Sequence, residues 1–464
     1  MEPILLRDLA AMMDGAILQG EGTLPVARLH TDSRTVRPGD GFVALVGDRF
    51  DGHDYLAAAA AQGAVAGIVS RARATLPDVP PRFGLVAVSD TVAALQRCAV
   101  SYRQARAARV VAVTGSSGKT STKEMIAAVL GVRFRVAATQ GNLNNHLGVP
   151  LTLLRIEPET DYAVVEMGMN HRGEIAPLAA MAAPSIAVVT GVGSAHIEHL
   201  GSREAIAEEK TDLVAALPED GAAILNGDDP LLRRHGARAR CRIVWTGSAA
   251  DAAWRAEDVR FTPQGVAFRL CGPSGAAQVL LPVHSRVMIG NALLAAAVGA
   301  EAGLSVEEIA SGLSSVRLAG GRMEVRPRGE GWLIDDSYNA NPESMEAALA
   351  SLREFPAPGR RVAVLGSMGE LGAEAPALHR RVGAAAAQAA PDLLVVVGPH
   401  AAELEAGARE GGLKEIRRFA TTAEAAAALP ALAREDDTVL IKGSRFMKLE
   451  AVAAALGQAP TLSH

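Results

Sequence analysis

The chain has 464 residues, of which 49% are hydrophobic and 21% charged, so it can bury sizeable cores and disorder is not expected for most of its length. The formal net charge is −5 and no long basic run occurs, which argues against a nucleic-acid-binding protein. The three cysteines stand far apart, without a C-x-x-C pair, so they indicate neither a disulfide framework nor a zinc site.

No stretch approaches the length of about 18 apolar residues that a membrane helix needs. Glu2 and Asp8 stand where a signal peptide would have positive charge and an apolar run. We therefore expect a soluble cytoplasmic protein with no membrane partner.

The length predicts about three domains, at roughly 150 residues for each. Short apolar runs at 41–46 and 84–88 are separated by alanine-rich helical stretches, which predicts a smaller N-terminal α/β domain over residues 1–107. The segment 103–109 is interpreted as a helical end or linker.

From Arg109 onward, apolar runs alternate with helical stretches, which is typical of a parallel sheet covered by helices. We assign this central domain to residues 108–319. A hairpin with a Pro-Gln-Gly turn is predicted at 259–270. The other predicted elements are strands at 110–113, 162–165, 186–190, 222–225 and 242–245, and helices at 289–302 and 306–313.

The alternation of strands and helices restarts near 318–322. A helix start is predicted at Asn341-Pro-Glu, because Asn can cap, Pro fits the first turn and an acid suits the positive helix end. The fold class is therefore α/β with three domains: the N-terminal domain, a central P-loop-type parallel sheet and a C-terminal Rossmann-like domain at 320–464. The strands predicted for the C-terminal domain are 331–335, 361–365, 393–397 and 438–441.

The most informative motif is V-V-A-V-T-G-S-S-G-K-T at 110–120, where a buried strand enters a glycine-rich loop and Lys119-Thr120 opens a helix. Backbone amides and the helix N-terminus can bind phosphate there. Lys119 is expected to contact the β- and γ-phosphates, and the Thr120 hydroxyl to bind Mg²⁺. Two residues separate the glycines, where the standard loop has four. The predicted nucleotide-binding residues are Thr114, Gly115, Ser116, Ser117, Gly118, Lys119 and Thr120.

Three polar residues further along the chain are candidates for metal binding. Glu166 ends a predicted strand, and a carboxylate at that position can reach a Mg²⁺ ion beside a phosphate loop. Taken alone, Glu166 would be a surface carboxylate, His196 a structural or exposed histidine, and Lys210 a solvated charge that follows two acids.

The shortened loop T-G-S-S-G-K-T resembles the ATP loop of the Mur ligases and folylpolyglutamate synthetases, which join a carboxylate to an amine through an acyl phosphate. The resemblance covers nearly the whole chain. It implies ATP, two Mg²⁺ ions, and catalytic or metal-binding roles for Lys119, Glu166, His196 and Lys210. It also implies that Lys210 carries a carbamate, an oxygen anion that can bind Mg²⁺ where an ammonium would repel it.

Further segments are most similar to the Mur ligases that add D-alanyl-D-alanine. They are T-D-S-R at 31–34 with G-F-V-A-L-V-G-D-R-F-D-G-H at 41–53, G-N-L-N-N at 141–145, and D-D-S-Y-N-A-N-P at 335–342. The segments 365–374 and 442–445 agree with them. The D-N-P-R motif of the diaminopimelate-adding members is absent from the sequence.

This resemblance implies two substrates, UDP-N-acetylmuramoyl-tripeptide and D-alanyl-D-alanine. Ser33 and Arg34 can serve a diphosphate by hydrogen bond and charge, and clustered amides can bind peptide and sugar groups. The substrate-binding residues implied are Ser33, Arg34, Asn142, Asn144, Asn145, Tyr338, Asn339 and Asn341.

One segment departs from the family pattern. The family commonly has H-N-x-x-N near the adenine, whereas Val287 and Met288 stand here in place of the first pair and Asn291 alone is kept. Arg322 matches the arginine that approaches ATP. Closure of the third domain is expected to bring Arg322 and Asp336 over the central site.

Two alternatives remain open at this point. One is another carboxylate–amine ligase, such as the diaminopimelate-adding member. The other is a nucleotide-gated binding protein that uses the loop as a switch, although Glu166, His196 and Lys210 argue against it because a switch needs no second metal site. A monomer is expected, and the third amino acid of the tripeptide is not indicated.

Overall fold

A computed structural model describes residues 1–47, 50–73, 79–262, 264–318 and 320–457. The chain forms two compact units. In the described ranges, no helix is long and apolar enough to cross a membrane. The first unit comprises Met1–Ala112, Phe134–Met169 and Gly173–Ile186, and the second comprises Val113–Arg133, Asn170–Arg172 and Ala187–His464.

The N-terminal region contains a mixed five-stranded sheet and a short antiparallel pair. The sheet has the order β2-β7-β6-β5-β4, and its strands are parallel except that β2 runs antiparallel to β7. The elements are β1 (Ile4–Leu5), α1 (Leu6–Met12), β2 (Ala16–Gln19), β3 (Pro25–Val26), β4 (Leu29–His30), β5 (Gly41–Val43), α2 (Leu56–Ala61), β6 (Ala66–Ser70), β7 (Gly84–Val88) and α3 (Thr91–Gln104).

The middle region confirms the predicted alternation and lengthens most of the predicted strands by one or two residues. Its elements are β8 (Arg109–Thr114), α4 (Lys119–Leu130), β9 (Val136–Ala138), α5 (Gly148–Leu153), β10 (Tyr162–Glu166), α6 (Ile175–Ala182), β11 (Ile186–Val189), α7 (Ile197–Leu200), α8 (Arg203–Ala215), β12 (Ala222–Asn226), α9 (Pro230–His235), β13 (Arg242–Thr246), β14 (Arg255–Thr262), β15 (Gly265–Gly272), β16 (Gly275–Leu281), α10 (Arg286–Glu301) and α11 (Val306–Ser314).

The C-terminal region contains each strand predicted for it and two more, β17 and β21, which are partly exposed. Its elements are β17 (Glu324–Arg328), β18 (Gly331–Asp336), α12 (Pro342–Glu354), β19 (Arg361–Gly366), α13 (Ala375–Ala389), β20 (Leu393–Val397), α14 (Ala401–Glu410), β21 (Ile416–Phe419), α15 (Thr422–Leu432), β22 (Thr438–Lys442) and α16 (Glu450–Gly457).

In the first unit, apolar runs account for the core of the N-terminal sheet. All five residues of β7 are buried, and Phe42 and Leu85 pack with Leu56 of α2 in one cluster. The unit also contains β9 and β10, which pair in parallel. Burial of all five residues of β10 holds the carboxyl end of this strand, Glu166, in a fixed position.

In the second unit, α4 packs against α10 and α11, and β12 pairs with β13 in parallel. The predicted hairpin is confirmed as β14 and β15, although its turn residue Pro263 lies outside the described residues. A third antiparallel strand, β16, was not predicted from the sequence. Only two of its seven residues, Val279 and Leu281, are buried, and its sequence GAAQVLL does not alternate between apolar and polar side chains.

The C-terminal sheet has the order β17-β18-β22-β19-β20-β21 and is parallel apart from β17. Helices cover both faces of this sheet. Alternate residues of a strand point to opposite sides, so each face has its own set of apolar side chains. Val362 and Val364 pack with residues of α15 and α16, whereas Ala363 and Leu365 pack with residues of α12, α13 and α14. This arrangement confirms the Rossmann-like prediction. The predicted domain boundaries near 108 and 319 stay predictions, and Ala319 lies outside the described residues.

Helix α11 begins with a reciprocal capping box. Glu308 N donates to Ser305 Oγ at 3.2 Å, and Ser305 N donates to Glu308 Oε2 at 2.8 Å. Two amides at the helix start are therefore satisfied by side chains.

We predict that Ser305→Ala weakens the first turn of α11 by about 1 kcal/mol, because one backbone amide loses its acceptor. Hydrogen–deuterium exchange of the amides near Glu308 should become about fivefold faster in the variant. Ser311→Ala, an exposed change in the same helix, should leave that exchange unchanged. Equal exchange in both variants would contradict the role of the cap.

Candidate active site

The glycine-rich loop forms the predicted strand–loop–helix, with β8 before it and α4 after it. Gly118 adopts φ +81° and Gly115 φ +148°, and a Cβ at Gly115 would lie 1.8 Å from Thr190 Oγ1. Lys119 Nζ donates to Gly115 O at 2.8 Å, which holds the lysine over the loop. The Ser116 hydroxyl is buried and has no hydrogen-bond partner among the described residues. This loop therefore offers unused donors to an anion.

The loop that follows β11 packs directly against the glycine-rich loop. Ser116 N donates to Gly191 O at 2.9 Å, and the Thr190 hydroxyl donates to Ser117 O at 2.5 Å. Asp229 fixes this second loop to the start of α9. Its Oδ2 accepts from Val192 N at 2.6 Å, and its Oδ1 accepts from Leu231 N at 2.9 Å. Residues Ser194 and His196 are thereby held beside the phosphate loop.

Lys210 lies on α8 with 1% of its surface exposed. Burial is the main cause that holds the pKa of Lys210 well below its ordinary value, and repulsion by Lys119 lowers it further, although Glu209 acts in the opposite direction. Such an environment favours a neutral amine over a cation.

His196 precedes α7 and adopts a left-handed backbone with φ +64°. Its Nδ1 lies 2.5 Å from Oε2 of Glu370, which belongs to the loop after β19. Side-chain hydrogen bonding with His196 is the main cause that lowers the pKa of the Glu370 carboxyl, and the charge of Lys119 contributes to this. Glu370 was not singled out from the sequence, although the segment 365–374 was.

Two further contacts join the loop after β18 and the first turn of α12 to the phosphate-loop side. Asn341 Nδ2 donates to Ser117 Oγ at 2.7 Å, and Glu343 Oε1 accepts from Ser194 Oγ at 2.8 Å. Asn341 also caps α12 with Pro342 in the first turn, as predicted. The C-terminal region therefore contacts the phosphate-loop side through the loops that follow β18 and β19.

The loop after β22 connects these two loops. Ser444 Oγ donates to Ala340 O at 3.0 Å and accepts from Gly369 N at 3.0 Å. Lys442 Nζ donates to Asp336 Oδ2 at 2.6 Å and to Asn339 O at 3.0 Å. Burial raises the pKa of Asp336, although the neighbouring Lys442 acts against this shift.

The residues predicted near the nucleotide base lie close to these loops. Arg322 stacks on the ring of Tyr338 at 3.8 Å, and its buried Nε has no hydrogen-bond partner among the described residues. Asn291 is buried against Gly118, where a Cβ would lie 2.8 Å from the Asn291 amide oxygen. Met288 accepts from the Asn291 side-chain amide, whereas Val287 is nearly half exposed.

In the first unit, Glu166 is 2% exposed and accepts from Asn144 Nδ2 at 2.8 Å. Its second oxygen, Oε2, is buried without a hydrogen-bond partner in the described part of the chain. The Asn145 side chain accepts from Gly148 N at 2.9 Å and so caps a turn, which is the ordinary alternative for an asparagine-rich loop. Asn142 lies exposed in the same loop.

The predicted diphosphate-binding pair, Ser33 and Arg34, lies in the N-terminal region. Arg34 is 84% exposed in its side chain and forms a bidentate pair with Asp32, at 2.9 and 2.7 Å. This hydrogen bonding is the main cause that lowers the pKa of Asp32 to about 2. Ser33 lies beside it in a single helical turn. Of the similar motif at 41–53, Asp48 and Arg49 lie outside the described residues.

Within the described ranges, no three His, Cys, Asp or Glu side chains come together in an arrangement that could hold a metal ion. In each unit taken by itself, one side chain nevertheless suits a cation or an anion that binds one. The unpartnered oxygen of Glu166 is a free ligand for a hard cation, and Lys210 offers an amine that can be converted to an anion.

Three family models match the chain. They are the Mur ligase family catalytic domain at 25–128, the Mur ligase middle domain at 113–299, and the Mur ligase glutamate ligase domain at 321–445. A relative from Escherichia coli, UDP-N-acetylmuramoyl-tripeptide--D-alanyl-D-alanine ligase, is 41% identical over 98% of both chains. The chain belongs to the Mur ligase family.

Solved structures of Mur ligases agree with this assignment. A crystal structure of MurF from Acinetobacter baumannii has a TM-score of 0.89 and 33% identity, and covers 98% of this chain and 99% of its own. A MurF ligase from Thermotoga maritima in complex with ADP has a TM-score of 0.81 and 30% identity, and covers 92% of this chain and 96% of its own. The α/β fold with N-terminal, middle and C-terminal Mur ligase domains is thereby confirmed.

Some of the site residues predicted from the sequence come together in the second unit of this Mur ligase. Lys119 interacts electrostatically with Lys210 and with Glu370, the partner of His196, so these side chains are neighbours. Sequence reasoning missed Ser194, Asp229 and Glu370 as site residues. The available signal was their position in loops that follow parallel strands, where ligand-binding residues gather.

Proposed function

We propose that this Mur ligase adds D-alanyl-D-alanine to UDP-N-acetylmuramoyl-tripeptide at the expense of ATP. The observation that carries this proposal is 41% identity, over nearly the full length of both chains, to the Escherichia coli enzyme of that name. The tripeptide carboxylate attacks the γ-phosphate of ATP, ADP leaves, and an acyl phosphate forms. The amine of D-alanyl-D-alanine then attacks the acyl carbon, and phosphate leaves.

The phosphate loop is the proposed site for the ATP phosphates. The buried Ser116 hydroxyl, the amides at the start of α4 and Lys119 all present donors or positive charge to an anion. The Thermotoga maritima relative was solved with ADP, which supports nucleotide binding by this fold. Asn291, Arg322 and Asp336 are proposed to contact the rest of the nucleotide.

Magnesium, as two ions, is proposed to be held by Thr120, Glu166, His196 and Lys210. A bound cation would offset the repulsion between the tripeptide carboxylate and the γ-phosphate. Glu166 fits this role because one of its buried oxygens has no hydrogen-bond partner among the described residues. Asn144 orients the carboxylate by donating to its other oxygen.

A carbamate on Lys210 is proposed to complete the metal ligands. Formation of the carbamate needs a neutral amine, which bonds to the carbon of CO₂ and releases one proton. The buried Lys210 meets this condition, because burial and Lys119 both disfavour its protonated form. The product is an anion, which Lys119 would attract and not repel.

The two substrates are assigned to different regions. Ser33 and the exposed Arg34 are proposed to bind the UDP-precursor in the N-terminal domain, with Asn142, Asn144 and Asn145 near its peptide or sugar. Tyr338, Asn339 and Asn341 are proposed for D-alanyl-D-alanine. Since Asn341 and Asn145 already cap turns, only part of their hydrogen-bonding capacity is available to a ligand. We also propose that the protein is a monomer and lies in the cytoplasm.

Phosphate release with defined UDP-muramoyl peptides and several D-amino-acid or dipeptide acceptors is the general test of this function. Turnover should require the tripeptide precursor together with D-alanyl-D-alanine. A preference for diaminopimelate, or ATP hydrolysis without any acceptor, would overturn the assignment.

We predict that Lys119→Ala lowers ligation roughly 100-fold or more, because the transferring phosphoryl group loses its charged partner. Phosphate release by the purified variant measures this, and a melting curve checks that the chain still folds. Lys414→Ala, which removes an exposed lysine far along the chain, should keep normal turnover. Near-normal turnover by Lys119→Ala would refute the role of the lysine.

We predict that Arg34→Ala raises the KM for the UDP-precursor about tenfold while the KM for ATP stays close to that of the parent, because a charge-assisted hydrogen bond to the diphosphate is lost. Steady-state kinetics with each substrate varied in turn decides this. Arg7→Ala, an exposed change in the same region, is the control. A larger effect on ATP than on the UDP-precursor would contradict the assignment.

We predict that Lys210→Ala is nearly inactive and that acetate restores part of its activity, because a free carboxylate can occupy the vacated space as an anion. Lys210→Arg should be inactive, since guanidinium stays cationic and does not take up CO₂. Phosphate release with and without acetate measures both effects. If Lys210→Arg works as well as the parent, the carbamate is excluded.

A further inference from the structure

The contact between His196 and Glu370 has properties that an ordinary surface ion pair lacks. The two residues come from loops that follow β11 and β19, and His196 Nδ1 lies 2.5 Å from Glu370 Oε2. Their side chains are 20% and 54% exposed. An ion pair this accessible to solvent stabilises a fold only slightly.

Both partners adopt a backbone conformation that side chains with a Cβ rarely take. His196 has φ +64° and Glu370 has φ +60°, and histidine takes this left-handed conformation more readily than glutamate does. Backbone strain of this kind is kept where the surrounding structure requires one particular orientation of a side chain. The left-handed backbone of Glu370, opposite His196, is therefore the reason to look for a role of this contact beyond stability.

The loop of Glu370 is fixed to its own sheet by buried hydrogen bonds. Met368 N donates to Nε2 of the fully buried His379 at 2.8 Å, and the other ring nitrogen of His379 lies 2.6 Å from Ala375 O. Gly369 N donates to Ser444 Oγ at 3.0 Å. Glu370 is therefore presented to His196 from a rigid support.

An imidazole has two nitrogens, and a carboxylate at Nδ1 favours the tautomer with its proton on Nδ1. That tautomer leaves the lone pair on Nε2, which is the form used by histidine metal ligands whose other nitrogen donates to a carboxylate. We propose that Glu370 is a positioning residue that orients His196 toward a divalent cation, so that the C-terminal loop 366–372 completes the metal site. This inference rests on the metal-binding role of His196 in the proposed function.

The test uses the full-length chain with ADP and Mn²⁺ as the probe, with free Mn²⁺ followed by electron paramagnetic resonance. His196→Ala and Glu370→Ala should each weaken Mn²⁺ binding by about 10- to 100-fold. The double variant should bind no more weakly than His196→Ala, because Glu370 acts only through the imidazole. Glu374→Ala, an exposed change in the neighbouring turn, should bind Mn²⁺ like the parent.

A melting curve of each variant checks its folding, and Glu370→Gly provides a second variant that removes the carboxylate while it relieves the left-handed strain. Parent-like Mn²⁺ affinity in both Glu370 variants, with a loss in His196→Ala, would overturn the inference and leave the proposed function intact. A further loss from Glu370→Ala in the His196→Ala background would also overturn it, because Glu370 would then act on the metal independently. No loss in His196→Ala would contradict the metal role itself.

Discussion

The close approach of the glycine-rich loop to the loop after β11 is the constraint on which the site depends. Gly115 has no room for a Cβ because the Thr190 hydroxyl occupies that space, and the same hydroxyl donates to Ser117 O. The two loops therefore fit closely against each other. Lys119, at the start of α4, takes its position from this arrangement.

The C-terminal region contacts the phosphate-loop side through segments that follow its parallel strands. The loops after β18 and β19 contribute Asn341 and Glu370, the first turn of α12 contributes Glu343, and Ser444 after β22 hydrogen-bonds to both loops. Because carboxyl ends of parallel strands lie at one edge of a sheet, three distant segments can act together there. A displacement of this sheet edge would change all three contacts at once.

The charge distribution of the site follows from burial. Lys119 and Lys210 repel each other, and burial makes the cationic form of Lys210 costly, so the site favours an anionic partner at this position. In the first unit, the opposite situation exists at Glu166, whose buried oxygen has no partner among the described residues. Each of these groups would be stabilised by a ligand of opposite charge.

The sequence by itself determined the features that depend on neighbouring residues: the strand–loop–helix around Lys119, the cap at Asn341, and the buried apolar strands such as Leu393–Val397. Short or exposed strands, such as Val136–Ala138 and Gly275–Leu281, were not predicted because their apolar pattern is weak.

Only the tertiary structure decided the contacts of Ser117 with Thr190 and Asn341, which lie 73 and 224 positions away along the chain. The same holds for the pairing of His196 with Glu370 and for the burial of Lys210. Periodicity and capping report on a few neighbouring residues, whereas these contacts depend on how whole sheets and helices pack, and local sequence carries no direct signal of that packing.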